Sequence, residues 1–251
     1  MRQPTHAREP MNERLAAHRA LWQTKPVLRA VYEDCYRRLL EHCAPGGPTL
    51  EIGGGTGNLK AFRADIVSSD IQWAPWLDVV ADAHRLPFAA ASFRNLMLFD
   101  VLHHLERPRL FLEEAARVLA RGGRLLVCEP AITPLSYPFY RFFHPEPVRL
   151  GDDPLAEGAL SRERDPYDSN QAIPTRLFGR DRARLESLVP SLAVVACERF
   201  SFFAYPLSGG FRPWSALPAS LAAPLLRLER KLEPVLGRLM AFRLLGALER
   251  R

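Results

Sequence analysis

The sequence predicts an α/β fold, a doubly wound and mostly parallel sheet of seven strands with helices on both faces. Three observations carry that prediction. Residues 49–57 read Thr-Leu-Glu-Ile-Gly-Gly-Gly-Thr-Gly, a short apolar strand that breaks into a glycine turn. Nineteen residues beyond Glu51, the run Ala64–Asp70 offers a second strand that again ends in a carboxylate. Strand and helix signals then alternate as far as Pro130, the order that builds parallel sheets.

The elements follow in order. The first nine residues read as a disordered tail, and 11–22 and 26–43 read as helices. The second has apolar residues at helical spacing from Val27 to Leu40 and begins at Pro26, a residue suited to a first helical turn. Pro45-Gly46-Gly47-Pro48 ends it. Residues 49–52 make the first strand. The second strand ends at Asp70, and a third follows at Val79–Ala83. The link between them, Ile71–Leu77, is too short for a helical crossover and contains Pro75. The chain therefore crosses as an extended loop, or the third strand is displaced. Phe93–Leu98 reads as the fourth strand and Phe111–Leu119 as an amphipathic helix. Arg121–Arg124 reads as a turn and Leu125–Pro130 as the fifth strand.

Residues 132–180 change character. The run Tyr137–Pro147 mixes aromatics with prolines, which bars a long helix, and Arg164–Gln171 is a polar loop. Leaving the carboxyl end of a strand in a doubly wound sheet, this segment lies where ligands bind and reads as a cap over an acceptor. Residues 181–251 complete the sheet. They comprise a helix at 180–189, a sixth strand at Leu192–Phe203, a helical insertion within 215–239 and a seventh strand at Met240–Leu248. The insertion carries leucines 221, 225, 228, 232, 236 and 239 at steps that make one apolar stripe. Pro224 and Pro234 are expected to kink or split it. The division is thus 1–25 tail and short helix, 26–131 core, 132–180 cap and 181–251 remainder.

Glycine at 53, 54, 55 and 57 lets backbone approach a ligand. The spacing is not the G-x-G-x-x-G of dinucleotide sites, because position 58 is Asn58, and no G-K-[ST] ends it as in a phosphate loop. Glu51 is a poor neighbour for pyrophosphate and suits a cation or hydroxyls.

Glu51-Ile52-Gly53-Gly54-Gly55-Thr56-Gly57 resembles motif I of the class I S-adenosylmethionine-dependent methyltransferases. Asp70, the Val79–Ala83 run with Leu86-Pro87-Phe88, and Ser92–Leu105 with its Leu-His-His continue the likeness to the small-molecule branch. The resemblance covers residues 48–130. It implies a Rossmann-like fold and S-adenosylmethionine as cofactor, released as S-adenosylhomocysteine. It implies that the turn Gly53, Gly54, Gly55, Gly57 lies against the cofactor and that Glu51 positions the methionyl ammonium. By the same likeness Asp70 takes the ribose hydroxyls, Asp82 and the Ala83 amide meet the adenine edge, and Phe99 lines the methyl-donor channel. The pattern departs at Arg94, where the family usually has an acid. Trp73 and Trp76 either cover one face of the cofactor or fill the core under the short link.

Composition narrows the class. The chain has 251 residues with 47% hydrophobic content, enough for a sizeable core. Four scattered cysteines, Cys35, Cys43, Cys128 and Cys197, form no metal spacing, and no metal site is expected. The start lacks an apolar signal core, and no stretch of about 18 apolar residues occurs. A cytoplasmic protein is expected. The net charge of +6 comes without a dense basic cluster. No [ND]-P-P-[YF] follows the fourth strand, so no nucleic-acid partner is expected and a small-molecule, saccharide or lipid-linked acceptor is favoured. Alternatives are a cofactor-binding partner without activity and an enzyme modifying protein or RNA.

Methyl transfer from a sulfonium needs position and desolvation, and some acceptors also need a base. His103, His104 and His144 are the candidates, with Asp100 behind them, because histidine titrates near neutrality. The leucine stripe of 217–239 packs on the domain or on a twin subunit, or rests on anionic lipid at the inner face of the membrane.

Overall fold

The computed structural model describes residues 13–161, 163 and 165–251. The expected tail, Met11 at the start of the first helix and Arg164 in the polar loop lie outside them. Two helices open the described chain, α1 (Glu13–Thr24) and α2 (Pro26–Glu41). The sheet is formed by β1 (Thr49–Ile52), β2 (Val67–Asp70), β3 (Val79–Val80), β4 (Phe93–Phe99), β5 (Leu119–Pro130), β6 (Leu192–Phe200) and β7 (Arg243–Arg250). Its order is β3-β2-β1-β4-β5-β7-β6. β1 to β5 run parallel, and β7 is antiparallel to both neighbours. This is the doubly wound seven-stranded sheet expected from the sequence.

Burial follows from connectivity. β1 is buried at all four positions, as a central parallel strand covered on both faces must be. One face carries α3 (Pro108–Val118), whose Phe111, Leu112 and Ala115 pack with Leu96, Leu98 and Val127. The other carries α2, whose Leu28, Val31, Tyr32 and Cys35 pack with Met97, Leu126 and Leu245.

Several boundaries differ from the sequence reading. The glycine turn leads into one 3₁₀ turn, Asn58–Ala61. The link 71–78 is an extended loop at the sheet edge, anchored where Ser68 N donates to Asp78 Oδ2 at 2.8 Å and Asp78 N to Ser68 O at 2.9 Å. β3 keeps only two residues. The turn expected at 121–124 is an irregularity inside the single long β5, with Gly122 at φ 67°.

The segment after β5 holds α4 (Ser136–Phe142) and α5 (Ile173–Leu177). α6 (Arg182–Leu188) precedes β6, and α7 (Ala204–Ser208) follows it. α8 (Ala219–Met240) is the helical insertion before β7, and it remains one helix across both prolines. Pro224 and Pro234 sit on its exposed side, where carbonyls freed from the helix ladder can bond to water. Its inward line is Ala222, Glu229 and Gly237. A Cβ at Gly237 would lie 2.7 Å from the Arg199 carbonyl, so glycine sets the approach to β6. Glu229 accepts from the amides of Phe202, Phe203 and Ala204 and caps the turn after β6. The leucine stripe therefore divides. Leu225 and Leu236 pack inward, whereas Leu221, Leu228, Leu232 and Leu239 are exposed together with Val235. Among the described residues no helix is long and apolar enough to cross a membrane.

Candidate active site

The carboxyl ends of β1, β2 and β4 open into a cavity of about 240 Å³. Its lining includes Glu51, Gly53, Gly54, Gly55, Asp70, Asp82, Ala83 and Phe99. The structure thus brings together nearly every residue expected to hold the cofactor. Gly57 is set behind the turn, where its backbone amide donates to Gly54 O at 2.7 Å.

The turn is shaped by φ of 73° at Gly53 and 43° at Gly55, values in the left-handed region that favours glycine. Gly54 is held by contact instead. A Cβ there would lie 2.2 Å from Ser68 Oγ and 2.9 Å from Glu51 Oε2. Asp70 ties the turn to the next loop by accepting from Gly55 N and Gln72 N, each at 2.9 Å. Ser68 Oγ donates to Glu51 Oε2 at 2.5 Å. Burial lifts the Glu51 carboxyl to about 7, with the Asp70 charge adding to it and the Ser68 hydroxyl opposing. A buried acid poised to ionise beside a cation is what an ammonium-bearing ligand needs. Asp82 Oδ1 pairs with His84 Nδ1 at 2.8 Å.

Neither tryptophan of the short link lines the cavity. Trp76 Nε1 donates to Gly55 O at 2.8 Å from behind the turn, and Arg19 stacks on its ring at 4.2 Å. Trp73 is exposed. The aromatic wall comes from α2: Tyr32 and Tyr36 stand 5.0 and 4.9 Å from the Phe99 ring. Their i, i+4 spacing was the available signal for it. His18 stacks on Phe211 at 4.5 Å and brings α1 against the loop after α7. That pairing joins residues far apart in sequence and leaves no local signal.

A second cavity of about 500 Å³ adjoins the first. Tyr32, Asp100, His104 and Phe211 line both. Residues 132–180 supply Phe139, Phe143, His144, Glu146 and Gln171 to its lining.

All three candidate bases line the second cavity, in different states. His103 is engaged at both ring nitrogens, Nδ1 at 2.6 Å from Glu129 Oε2 and Nε2 at 3.2 Å from Glu146 Oε2. Burial would lower its pKa, but the two carboxylates outweigh burial and raise it to about 10. His103 is thus a paired cation, with no lone pair to offer. His144 Nδ1 accepts from Glu146 N at 3.3 Å, which puts its proton on Nε2, and burial lowers its pKa. His104 donates from Nδ1 to Asp168 O at 3.1 Å and keeps its Nε2 lone pair. Burial, then the His103 charge, lowers it to about 4.

Arg243, at the start of β7, was missed by the sequence reading. Its side chain is 1% exposed, and Nη1 donates to Asp100 Oδ1 at 2.6 Å. Asp100 has φ 56°, a strained value for a non-glycine residue that turns the chain out of β4. Arg243 lies over the Phe99 and Tyr205 rings at 4.9 and 5.3 Å.

Residues 50–127 match a family described as a methyltransferase domain. An uncharacterised protein of Methanocaldococcus jannaschii is 33% identical over 105 residues, which cover 39% of this chain and 51% of that one. A ubiquinone/menaquinone biosynthesis C-methyltransferase of Rhizobium etli is 36% identical over 109 residues, 34% of this chain and 42% of that one. The chain thus spans about half the length of these curated relatives. A methyltransferase of Thermotoga maritima shares the fold at a TM-score of 0.56 and 14% identity, covering 95% of this chain and 98% of that one. One from Archaeoglobus fulgidus does so at 0.51 and 16%, covering 89% and 94%. Residues 50–127 are thus similar to a methyltransferase domain, and the chain shares its fold with solved methyltransferases. The glycine turn, with a buried acid ahead of it and Asp70 beside it, fits S-adenosylmethionine.

Proposed function

We propose that the protein transfers a methyl group from S-adenosylmethionine to a small-molecule or lipid-linked acceptor. One observation carries the reading: the buried Glu51 and the glycine turn line one cavity, which shares a wall with a second, histidine-lined one. Glu51 meets the ammonium, Asp70 the ribose, and Asp82 with the Ala83 amide the base. Phe99 and Tyr32 border the path of the methyl group. S-adenosylmethionine supplies the methyl on a sulfonium, and the chain supplies alignment and exclusion of water. A cofactor-binding partner without activity would have no use for the second cavity.

The lipid-linked form of the acceptor is supported by the outer surface. Leu228, Leu232, Val235 and Leu239 are exposed on α8, and Arg227, Lys231 and Arg238 flank them. Leu135 N donates to Leu239 O, which sets the start of α4 at the end of α8, and Phe142 and Phe143 are exposed at the other end of α4. Phe143 also borders the second cavity. An apolar face rimmed with arginine and lysine suits an anionic bilayer surface. One gradient experiment tests both parts. The protein is incubated with radiolabelled S-adenosylmethionine, fractionated cell extract and vesicles containing anionic lipid. Label should enter the small-molecule or lipid fraction, and the protein should float with the vesicles at low salt. Label in protein or RNA would reverse the acceptor class. Protein that stays at the bottom of the gradient would remove the bilayer.

A further inference from the structure

We propose that His103, His104 and Glu146 form a binding site for a divalent transition-metal ion of the zinc class in the wall of the acceptor cavity. The donor atoms converge. His103 Nε2 lies 3.2 Å from Glu146 Oε2, and His104 Nε2 lies 3.9 Å from Glu146 Oε1. All three ligand atoms fall within 4.8 Å of one another. Ligands bonded at about 2.0–2.2 Å around a tetrahedral ion stand roughly 3.3–3.6 Å apart, so little movement closes the site.

The outer layer is already built. Metal-bound histidines characteristically donate their other ring nitrogen to a carboxylate or carbonyl, which fixes the tautomer and aims the lone pair. Both rings have that partner here. His103 Nδ1 meets the fully buried Glu129 at 2.6 Å, and His104 Nδ1 meets Asp168 O at 3.1 Å. Glu129 is itself held by the amides of Val101 and Leu102, at 2.9 and 2.7 Å.

Charge and an orphaned atom point the same way. Two largely buried carboxylates, Glu129 and Glu146, meet the one His103 ring. A dication with both imidazoles neutral balances them, and the proton on His103 Nε2 leaves to solvent. Gln171 is 1% exposed, and its amide nitrogen donates to Glu146. Its Oε1 is buried without a hydrogen-bond partner and belongs to a residue lining the cavity. An ion-bound water would satisfy it. The neighbouring trio Asp100, His103 and Glu129 fits less well, because Arg243 already neutralises Asp100.

Two imidazoles and one carboxylate favour a zinc-class ion over calcium or magnesium. Remaining coordination positions face the cavity and accept water or an oxygen of the methyl acceptor. That use rests on the methyl-transfer reading, whereas ion binding does not. The cysteine spacing had suggested no metal, and a ligand set whose third member lies in the cap leaves no short motif.

Full-length protein without a polyhistidine tag, stripped with chelator, is titrated with Co²⁺ and followed by visible absorption. Wild type should bind one ion per chain, with the intense bands of a low-coordinate site, and Zn²⁺ should displace it. Glu146→Gln should abolish the bands, and Glu129→Gln should weaken binding about 10–100-fold. Affinity for S-adenosylhomocysteine, read by calorimetry, should survive in Glu146→Gln, which separates this test from that of the cofactor site. A wild type that binds no stoichiometric Co²⁺ would overturn the proposal. So would a Glu146→Gln protein that binds it with unchanged spectrum and affinity.

Discussion

Replacing Gly54 by valine should abolish measurable binding of S-adenosylhomocysteine while the protein stays folded. The new Cβ would stand 2.2 Å from Ser68 Oγ and 2.9 Å from Glu51 Oε2. Both atoms belong to the 2.5 Å hydrogen bond that holds the acid in place. The hydroxyl must rotate away or the turn must lift. Either motion takes Glu51 off the ligand ammonium, and a hydrogen bond to a charged group contributes about 1.5–3 kcal/mol. With added crowding, affinity should fall about 100-fold or more. Equilibrium dialysis reads the loss, and circular dichroism checks the fold. Wild-type affinity in this variant would mean that the ligand does not rest on the turn.

Replacing Arg243 by methionine is expected to act on stability. The guanidinium is buried, and its removal leaves the Asp100 carboxylate without its cation. Breaking a buried ion pair from one side costs about 3–5 kcal/mol. Asp100 borders both cavities and its side chain is 29% exposed, so the lower end of that range applies. For a chain of this size, about 3 kcal/mol lowers Tm by roughly 6–12 °C. Adding Asp100→Asn to Arg243→Met should recover part of the loss, since no unpaired charge then remains. A single variant that melts with the wild type would show the pair to be energetically idle.

These two residues also mark what sequence can reveal. The proposed cofactor half of the site is local. Glu51 and its glycines occupy one strand and one turn, and Asp70 ends the neighbouring strand, so period and spacing place them. β3 is legible at Val79, whereas the link without a helix that reaches it is legible only as a difficulty. The proposed acceptor half is not local. Arg243 meets Asp100 only because β7 inserts antiparallel beside β5. Glu146 meets His103 only because the cap folds back over the carboxyl end of β4. The leucines of α8 are legible in sequence as one apolar stripe, for packing or for a lipid surface. Periodicity fixes a helical face, but not which face turns inward, and here Ala222 and Gly237 allow the closer approach.

The central claim is that the Glu51 cavity is a sulfonium-cofactor site with a proton-linked acid. Calorimetry of wild-type protein with S-adenosylhomocysteine at pH 6 and pH 8, in two buffers of different ionisation enthalpy, tests it most directly. In the free protein the Glu51 carboxyl titrates near 7, chiefly because it is buried. Bound beside an ammonium it must be ionised, so at pH 6 binding has to expel a proton. The account predicts one site per chain, affinity about tenfold weaker at pH 6 than at pH 8, and proton release at pH 6 that vanishes at pH 8. No binding at either pH, or binding with neither pH dependence nor proton release, would contradict it.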